Sequence, residues 1–155
     1  MYPQTHFLFS LLIGLIFVKL GVFDYKIALL IAIFSVLIDS DHFINFALRR
    51  KNYSLRDAWN AIVIRHFHGR TFIHHIVGFI LITFLIIFLF FANKNFFWIV
   101  SVGYYSHMFL DYAKINFLKI KGKMTIKESG FIEKISKFEI LLDIFLMIGI
   151  ILLIL

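Results

Sequence analysis

The chain has 155 residues, of which 61% are hydrophobic and 21 are phenylalanine, and its mean hydropathy is +0.92. A soluble domain of ordinary composition is excluded, because such a chain has far more apolar side chains than one small core can bury. The net charge is +7, and there is no cysteine. Disulfides and thiolate ligands are therefore excluded, and any metal site must be built from imidazole, carboxylate and water.

Five apolar stretches follow one another along the chain, and they lack the two-residue alternation of a membrane β-strand. They cover approximately residues 7–23, 27–38, 76–92, 96–110 and 140–155. Because only helices and closed barrels satisfy backbone groups in lipid, the sequence predicts an all-α integral membrane bundle of about five membrane-embedded helices. No linker or repeat divides it, so residues 1–155 are expected to form a single domain.

Two of these stretches are expected to continue into polar residues. A bilayer core needs about 20 apolar residues, so the stretch 27–38 is too short to cross one by itself. We expect its helix to continue into Asp39-Ser40-Asp41-His42. The third helix is likewise expected to begin upstream, near His68.

Lysine and arginine are distributed unevenly. Six lie between His42 and His74, seven between Asp111 and Glu139, and three elsewhere. The positive-inside rule then predicts a membrane protein with both long loops and the N-terminus in the cytoplasm and Leu155 outside. The loops 43–65 and 112–138 are expected to be surface helices or loops, the second an interfacial amphipathic stretch. Thirteen basic residues attract anionic lipid at roughly 1 kcal/mol each, so membrane lipids are the expected partners and no nucleic acid is required.

Polar clusters stand at the ends of the apolar stretches, and under this topology they all reach the cytoplasmic face. The clusters are His6, Asp39 with Asp41 and His42, the stretch from His66 to His75, and His107 with Asp111. Ionisable groups are costly at the edge of a bilayer, so their convergence predicts a metal site. Imidazole and carboxylate ligands suit zinc, manganese and iron alike.

The spacing within two clusters is informative. His107 and Asp111 are four residues apart and share a helical face, which suits two ligands; a simple His–Asp hydrogen bond is the alternative. Asp39 and His42 also share a face, and a helix cap before a solvated turn is the alternative there. Asp41 points elsewhere and could bridge a second metal or hold His42 through a hydrogen bond.

Four histidines and two arginines occur within residues 65–75. Adjacent histidines rarely bind one ion, so His68 and His74 rank first as ligands, with His75 as their rival and His66 as an interfacial residue. Arg70 could clamp a phosphate or carboxylate, or extend to lipid headgroups.

A further pair of carboxylates begins the last apolar stretch. Glu139 and Asp143 are four residues apart, and Asp143 would lie inside the membrane. As a buried carboxylate, Asp143 could complete the metal site, accept a hydrogen bond from a liganding histidine, or neutralise a basic residue such as Lys137. The hydrogen bond to a ligand is the favoured role.

From His6 to about Tyr112 the chain resembles a family described as LexA-binding, inner-membrane-associated, metal-dependent hydrolases, and more distantly zinc-dependent phospholipase C and P1-type nucleases. Its pattern is an early His, Pro-Asp-x-Asp-His, His-Arg-Gly-x-Thr-His and Gly-Tyr-x-Ser-His-x-x-x-Asp. The last motif matches closely from Gly103 to Asp111, and Ile38 replaces the proline of the second. In the third, Arg70 and His74 keep the family's spacing, but Gly69 stands where the family has its first histidine.

The resemblance implies a helical site in which His and Asp residues hold more than one zinc-like ion and activate water to hydrolyse a phosphoester, with charge stabilisation from Arg70. Asp41 and Asp111 are equally placed as a catalytic base, and a site at headgroup depth suits a lipid substrate. Two alternatives remain open. One is a membrane scaffold with a structural metal or none; the other is a metal or proton transporter, which the mostly apolar helix centres disfavour.

Overall fold

The computed structural model describes residues 1–65, 72–112, 123–128 and 130–155. The predicted helical class is confirmed, since each of the five apolar stretches forms a helix. In chain order the elements are α1 (Pro3–Lys19), α2 (Tyr25–Ile38), α3 (Ser40–Arg50), α4 (Leu55–Arg65), a 3₁₀ turn (Phe72–His74), α5 (Ile76–Ala92), α6 (Lys94–Tyr112), β1 (Lys123–Glu128), β2 (Phe131–Ser136) and α7 (Lys137–Ile154).

Helix α2 lies at the centre of the bundle, with α1 and α6 packed against it. Its buried positions recur every three or four residues and include Ala28, Ile31, Ala32 and Ser35. This face continues to Asp39, which directly follows the helix. The packing of α2 therefore aims Asp39 between the two neighbouring helices.

Small residues let these helices approach closely. A methyl group added at Gly14 of α1 would lie 3.0 Å from the Ala28 Cβ, and one at Gly103 of α6 would lie 2.9 Å from the Phe34 ring. Such small-residue contacts are typical of helix packing in membranes. Deeper in the bundle, the Ser10 and Ser106 hydroxyls join α1 to α6 at 2.6 Å.

The outer faces of the bundle are apolar. Helix α5 packs against α6 and the 3₁₀ turn, and α7 packs against α1. Both expose large side chains, including Phe84 and Phe91 on α5 and Phe145 and Leu152 on α7. A continuous surface of this kind favours association in water but is stable against lipid.

Of the helices in the described ranges, one is long and apolar enough to cross a membrane, judged by length and composition alone. It runs over Tyr25–Arg50 and joins α2 to α3. The joint is Asp39, whose backbone stays near the helical region with φ −65° and ψ −12°. The expected continuation of the short stretch 27–38 past Asp39 is therefore confirmed. The arrangement with five spans remains a prediction.

The predicted upstream start of the third helix is wrong. Helix α5 begins at Ile76, His75 before it is extended with φ −92° and ψ 152°, and a 3₁₀ turn precedes it. The reason lies in side-chain contacts from α6. The Tyr104 hydroxyl donates to the Ile73 carbonyl, and the Tyr112 hydroxyl donates to the His74 carbonyl. In a continuous helix these two carbonyl groups would instead accept hydrogen bonds from backbone N–H groups of the same helix.

The loop 112–138 contains an antiparallel hairpin, which the expectation of surface helices or loops did not include. Strands β1 and β2 pair from Lys123 with Ser136 to Glu128 with Phe131. Gly130 in the turn has φ 82°, a conformation that favours glycine. The Asn60 side chain of α4 donates to the Gly130 carbonyl at 2.9 Å, so the hairpin is attached to α4. The sequence signal for this hairpin is Gly130, which lies between two segments that contain isoleucine.

Candidate metal centre

Six of the eight predicted ligands meet at one end of the bundle. Each comes from an element that ends or begins there: His6 from the first turns of α1, Asp39 from the joint of α2 and α3, His74 from the 3₁₀ turn, and His107 and Asp111 from the last turns of α6. These side chains, with His42 of α3, form two overlapping groups of donor atoms.

The first group contains His6, Asp39, His107 and Asp111, with one donor atom of each within 4.8 Å of the others. Asp111 lies between the two histidines: Oδ1 is 3.3 Å from His6 Nε2, and Oδ2 is 3.3 Å from His107 Nε2. Asp39 Oδ1 is 3.5 Å from His107 Nε2. Both imidazoles are fully buried, and their rings stack at 4.0 Å.

The second group contains Asp39, His42 and His74, so Asp39 belongs to both groups. His74 connects the second group to the first. Its Nε2 atom lies 3.2 Å from Asp111 Oδ2 and 3.2 Å from His107 Nε2. A carboxylate shared between two groups of ligands is the arrangement expected where two ions lie side by side.

Two of the imidazoles are oriented by hydrogen bonds on the side away from the cluster. His107 Nδ1 donates to the Ser35 carbonyl at 2.9 Å, and His74 Nδ1 donates to Asp41 Oδ2 at 3.2 Å. Each bond leaves Nε2 facing the other ligands. Metal-bound histidines are oriented in this way, by a carbonyl or carboxylate on their second nitrogen.

The cluster favours a positive charge at its centre. Burial alone would lower the pKa of His74, but its hydrogen bonds to Asp111 and Asp41 outweigh burial and raise the pKa to about 9. In the metal-free protein a proton on His74 therefore supplies positive charge between the two carboxylates at neutral pH. A divalent cation at the same place would remove the need for that proton.

The closest contacts between donor atoms match the ligand spacing around a small divalent ion. The contacts among His6, Asp39, His74, His107 and Asp111 measure 3.2 to 3.5 Å. Ligands bound tetrahedrally at about 2.0–2.1 Å from zinc are about 3.3–3.4 Å apart. Within the described part of the chain, neither ring nitrogen of buried His6 makes a hydrogen bond. Imidazole and carboxylate donors suit zinc, manganese or iron.

The other predicted site residues have different positions. Asp41 hydrogen-bonds to His74 rather than His42, whose Nε2 is 3.9 Å from Asp41 Oδ1. His75 is exposed and belongs to neither group of the described residues. His68 and Arg70 lie outside the described residues, so their predicted roles as ligand and phosphate clamp remain predictions, as does the interfacial role of His66.

The structure also identifies supporting groups that the sequence did not reveal. The Ser35 carbonyl orients His107, and no sequence pattern indicates a backbone acceptor of this kind. Glu139 accepts hydrogen bonds from Tyr2 and Thr5 at the start of α1. Its effect on the cluster is therefore indirect.

Residues 1–115 match the family model described as YdjM inner membrane protein. Neither a curated protein nor a solved structure matches the chain. The matched residues contain α1 to α6 and every member of both ligand groups, whereas the hairpin and α7 lie beyond them. Because the match covers well over half of the chain, the protein belongs to the YdjM inner membrane protein family, which confirms the predicted inner-membrane setting.

Proposed function

We propose that the protein is a membrane-bound, metal-dependent hydrolase that cleaves a phosphoester in a phospholipid-like substrate at the cytoplasmic face. One observation carries the proposal. His74 Nε2, His107 Nε2 and Asp111 Oδ2 converge at 3.2–3.3 Å, and both rings are held there by bonds on their Nδ1 atoms. This arrangement favours a shared cation, and several such donors around one point are typical of a metallohydrolase site.

The residues have distinct roles in this proposal. His6, Asp39, His107 and Asp111 would hold one divalent ion, and Asp39, His42 and His74 would hold a second. Bound ions of this type supply a water nucleophile at neutral pH and offset negative charge on a phosphoryl group. Asp111 contacts three histidine rings and is assigned as a ligand.

Two further roles concern groups beside the ligands. Asp41 holds the His74 ring and is the remaining candidate for the catalytic base, since Asp111 is assigned to the metal. Arg70 would stabilise charge on the phosphate, as the family resemblance implies. The role of Arg70 can be tested separately from metal binding, because its side chain is neither proposed as a ligand nor proposed to orient one.

A groove beside the cluster supports a lipid substrate. It has a volume of about 400 Å³ and lies between α1 and α6 on an apolar face of the bundle. Its lining consists of Phe9, Ile13, Phe17, Ser101, Val102, Tyr105, Ser106 and Phe109. Phe9 follows His6 by three residues, and Phe109 precedes Asp111 by two, so one end of the groove lies within about one helical turn of these ligands along both helices.

The length of the groove suits an acyl chain. From Phe9 to Phe17 helix α1 rises by about 12 Å, at 1.5 Å per residue. One leaflet of a bilayer is about 15 Å of hydrocarbon, half of the total core thickness. A lipid with its phosphate at the cluster could therefore place a chain along the groove. This continuity is the reason for proposing a phospholipid rather than a water-soluble phosphoester.

The first test is the metal content of detergent-purified protein, measured by inductively coupled plasma mass spectrometry for the wild type and for Asp39→Ala. We expect at least one equivalent of zinc, manganese or iron in the wild type and a large loss in the variant, because Asp39 belongs to both ligand groups. If the wild type binds no metal even after reconstitution, the hydrolase proposal is wrong.

The second test is release of phosphate or headgroup from phosphatidic acid and phosphatidylglycerol in vesicles. Turnover should be lost with a chelator and restored by the metal. Val102→Trp fills the groove and should slow turnover of the vesicle lipid but not of p-nitrophenyl phosphate; Ile80→Trp on the exposed face of α5 is the matched control. A wild type that binds metal but hydrolyses neither class of substrate would instead be a scaffold with a structural metal.

A further inference from the structure

The three buried imidazoles of the cluster differ in how they are held. His107 is anchored by the Ser35 carbonyl, and His74 is anchored by Asp41. His6 has no such bond on either ring nitrogen within the described residues, although its Nε2 lies 3.3 Å from Asp111 Oδ1. Its ring is placed by stacking on His107 and by the backbone of α1. The position of the first turns of α1 therefore decides where His6 Nε2 points.

The start of α1 is held by a carboxylate from another helix. Glu139 Oε1 accepts the backbone N–H of Tyr2 at 2.6 Å and the Thr5 hydroxyl at 3.0 Å. Tyr2 occupies the N-cap position of α1, and its own side chain makes no capping bond. Amide groups at a helix start lack partners within the helix and attract negative charge. Glu139 supplies both an acceptor and that charge.

The local structure of α7 fixes Glu139 in this position. Ser136 is the N-cap of α7, and its hydroxyl accepts the backbone N–H of Glu139 at 3.1 Å. In a capping box the glutamate side chain would turn back to the N-cap residue of its own helix. Here the carboxylate reaches α1 instead and is only 7% exposed. The side chain is therefore used between helices rather than within one.

We infer that Glu139 is a positioning residue for the metal site: by holding Tyr2 and Thr5 it fixes the first turns of α1, so that His6 faces Asp111. Thr5 is the residue directly before His6, which makes the path from carboxylate to ligand one residue long. The part of this inference that concerns metal rests on the proposed function. Glu139 lies beyond residues 1–115, which match the family, so α7 adds this support from outside the matched region.

The experiment measures cobalt affinity by competition with a chelator, together with the visible absorption spectrum of the bound cobalt. We expect Glu139→Ala to weaken binding by about 10- to 100-fold, the usual effect of removing a group that orients a ligand, and to change the spectrum. Glu139→Gln keeps an oxygen acceptor and should recover most of the affinity. The matched control is Asp24→Ala, which removes a carboxylate that caps α2 at the other end of the bundle.

A double-variant comparison separates positioning from general destabilisation. Because Glu139 acts through His6, Glu139→Ala should cause little further loss of affinity when His6 is already alanine. Equal losses in both backgrounds would overturn the inference. Thr5→Val removes one of the two bonds with little change of shape, and it provides a milder test if Glu139→Ala fails to fold.

A measurement on metal-free protein makes the result independent of the proposed function. In protein with ¹⁵N-labelled histidine, the His6 ring signals should shift in Glu139→Ala and remain in place in Asp24→Ala. If the wild type binds no metal but these signals shift as expected, the positioning role stands and the metallohydrolase proposal falls. If neither the His6 signals nor the cobalt affinity responds to Glu139→Ala, the inference is wrong.

Discussion

The two ends of the helical bundle use polar side chains in different ways. At one end, Asp24 Oδ1 accepts the backbone N–H of Ile27, and Asn93 Oδ1 accepts those of Asn95 and Phe96. These bonds span two or three residues and simply begin a helix. At the other end, His74 bonds to Asp41 from 33 residues away, and His107 bonds to the Ser35 carbonyl from 72 residues away.

This difference indicates what each end can do. A local cap satisfies the backbone of one helix and needs no particular arrangement of its neighbours. The long-range contacts around His107 exist only when α1, α2, α6 and the 3₁₀ turn are all in place. Substitutions at the cluster end should therefore affect metal binding, whereas substitutions at the capping end should affect stability alone.

The largest expected effect is that of His107→Ala. This change removes the ring that contacts Asp39, Asp111 and His74, so metal content should fall to background and affinity should drop by more than about 100-fold. Metal analysis and competition binding measure both quantities. If His107→Ala retains the metal of the wild type, the cluster is a hydrogen-bonded network and not a metal site.

A smaller effect is expected for Asp41, which contacts His74 on the side away from the cluster. Asp41→Ala removes the acceptor that orients the ring, and affinity should fall by about 10- to 100-fold. Asp41→Asn retains an oxygen that can accept the His74 Nδ1 proton, so its loss should be smaller. A loss as complete as that of His107→Ala would instead identify Asp41 as a direct ligand.

The parts of the site that the sequence predicted depend on spacing within one helix. His107 and Asp111 share a face because they are four residues apart, and the structure places their atoms 3.3 Å apart. Asp39 continues the buried face of α2, so helical periodicity alone aims it at the neighbours. The sequence also shows that ionisable residues stand at the ends of the apolar stretches, which predicted where the site lies.

The parts that the sequence did not predict depend on contacts between elements. The pairing of Asp41 with His74 follows from the 3₁₀ turn, which two tyrosines of α6 hold by their hydroxyls. The bonds from Glu139 to the start of α1 join residues more than 130 positions apart. No local pattern specifies such partners, since they are determined by how the helices pack.

The smallest effect is expected at the capping end, for Asp24→Ala. The Asp24 side chain accepts one backbone N–H at the start of α2, and loss of such a cap costs about 0.5–2 kcal/mol of stability. Thermal unfolding in detergent should show a midpoint a few degrees lower, while Asp24→Asn, which can still cap the helix, should stay close to the wild type. Metal affinity should be unchanged in both. If Asp24→Ala also released the metal, α2 would transmit a change along its whole length to Asp39, and the two ends would have to be treated as one cooperative unit.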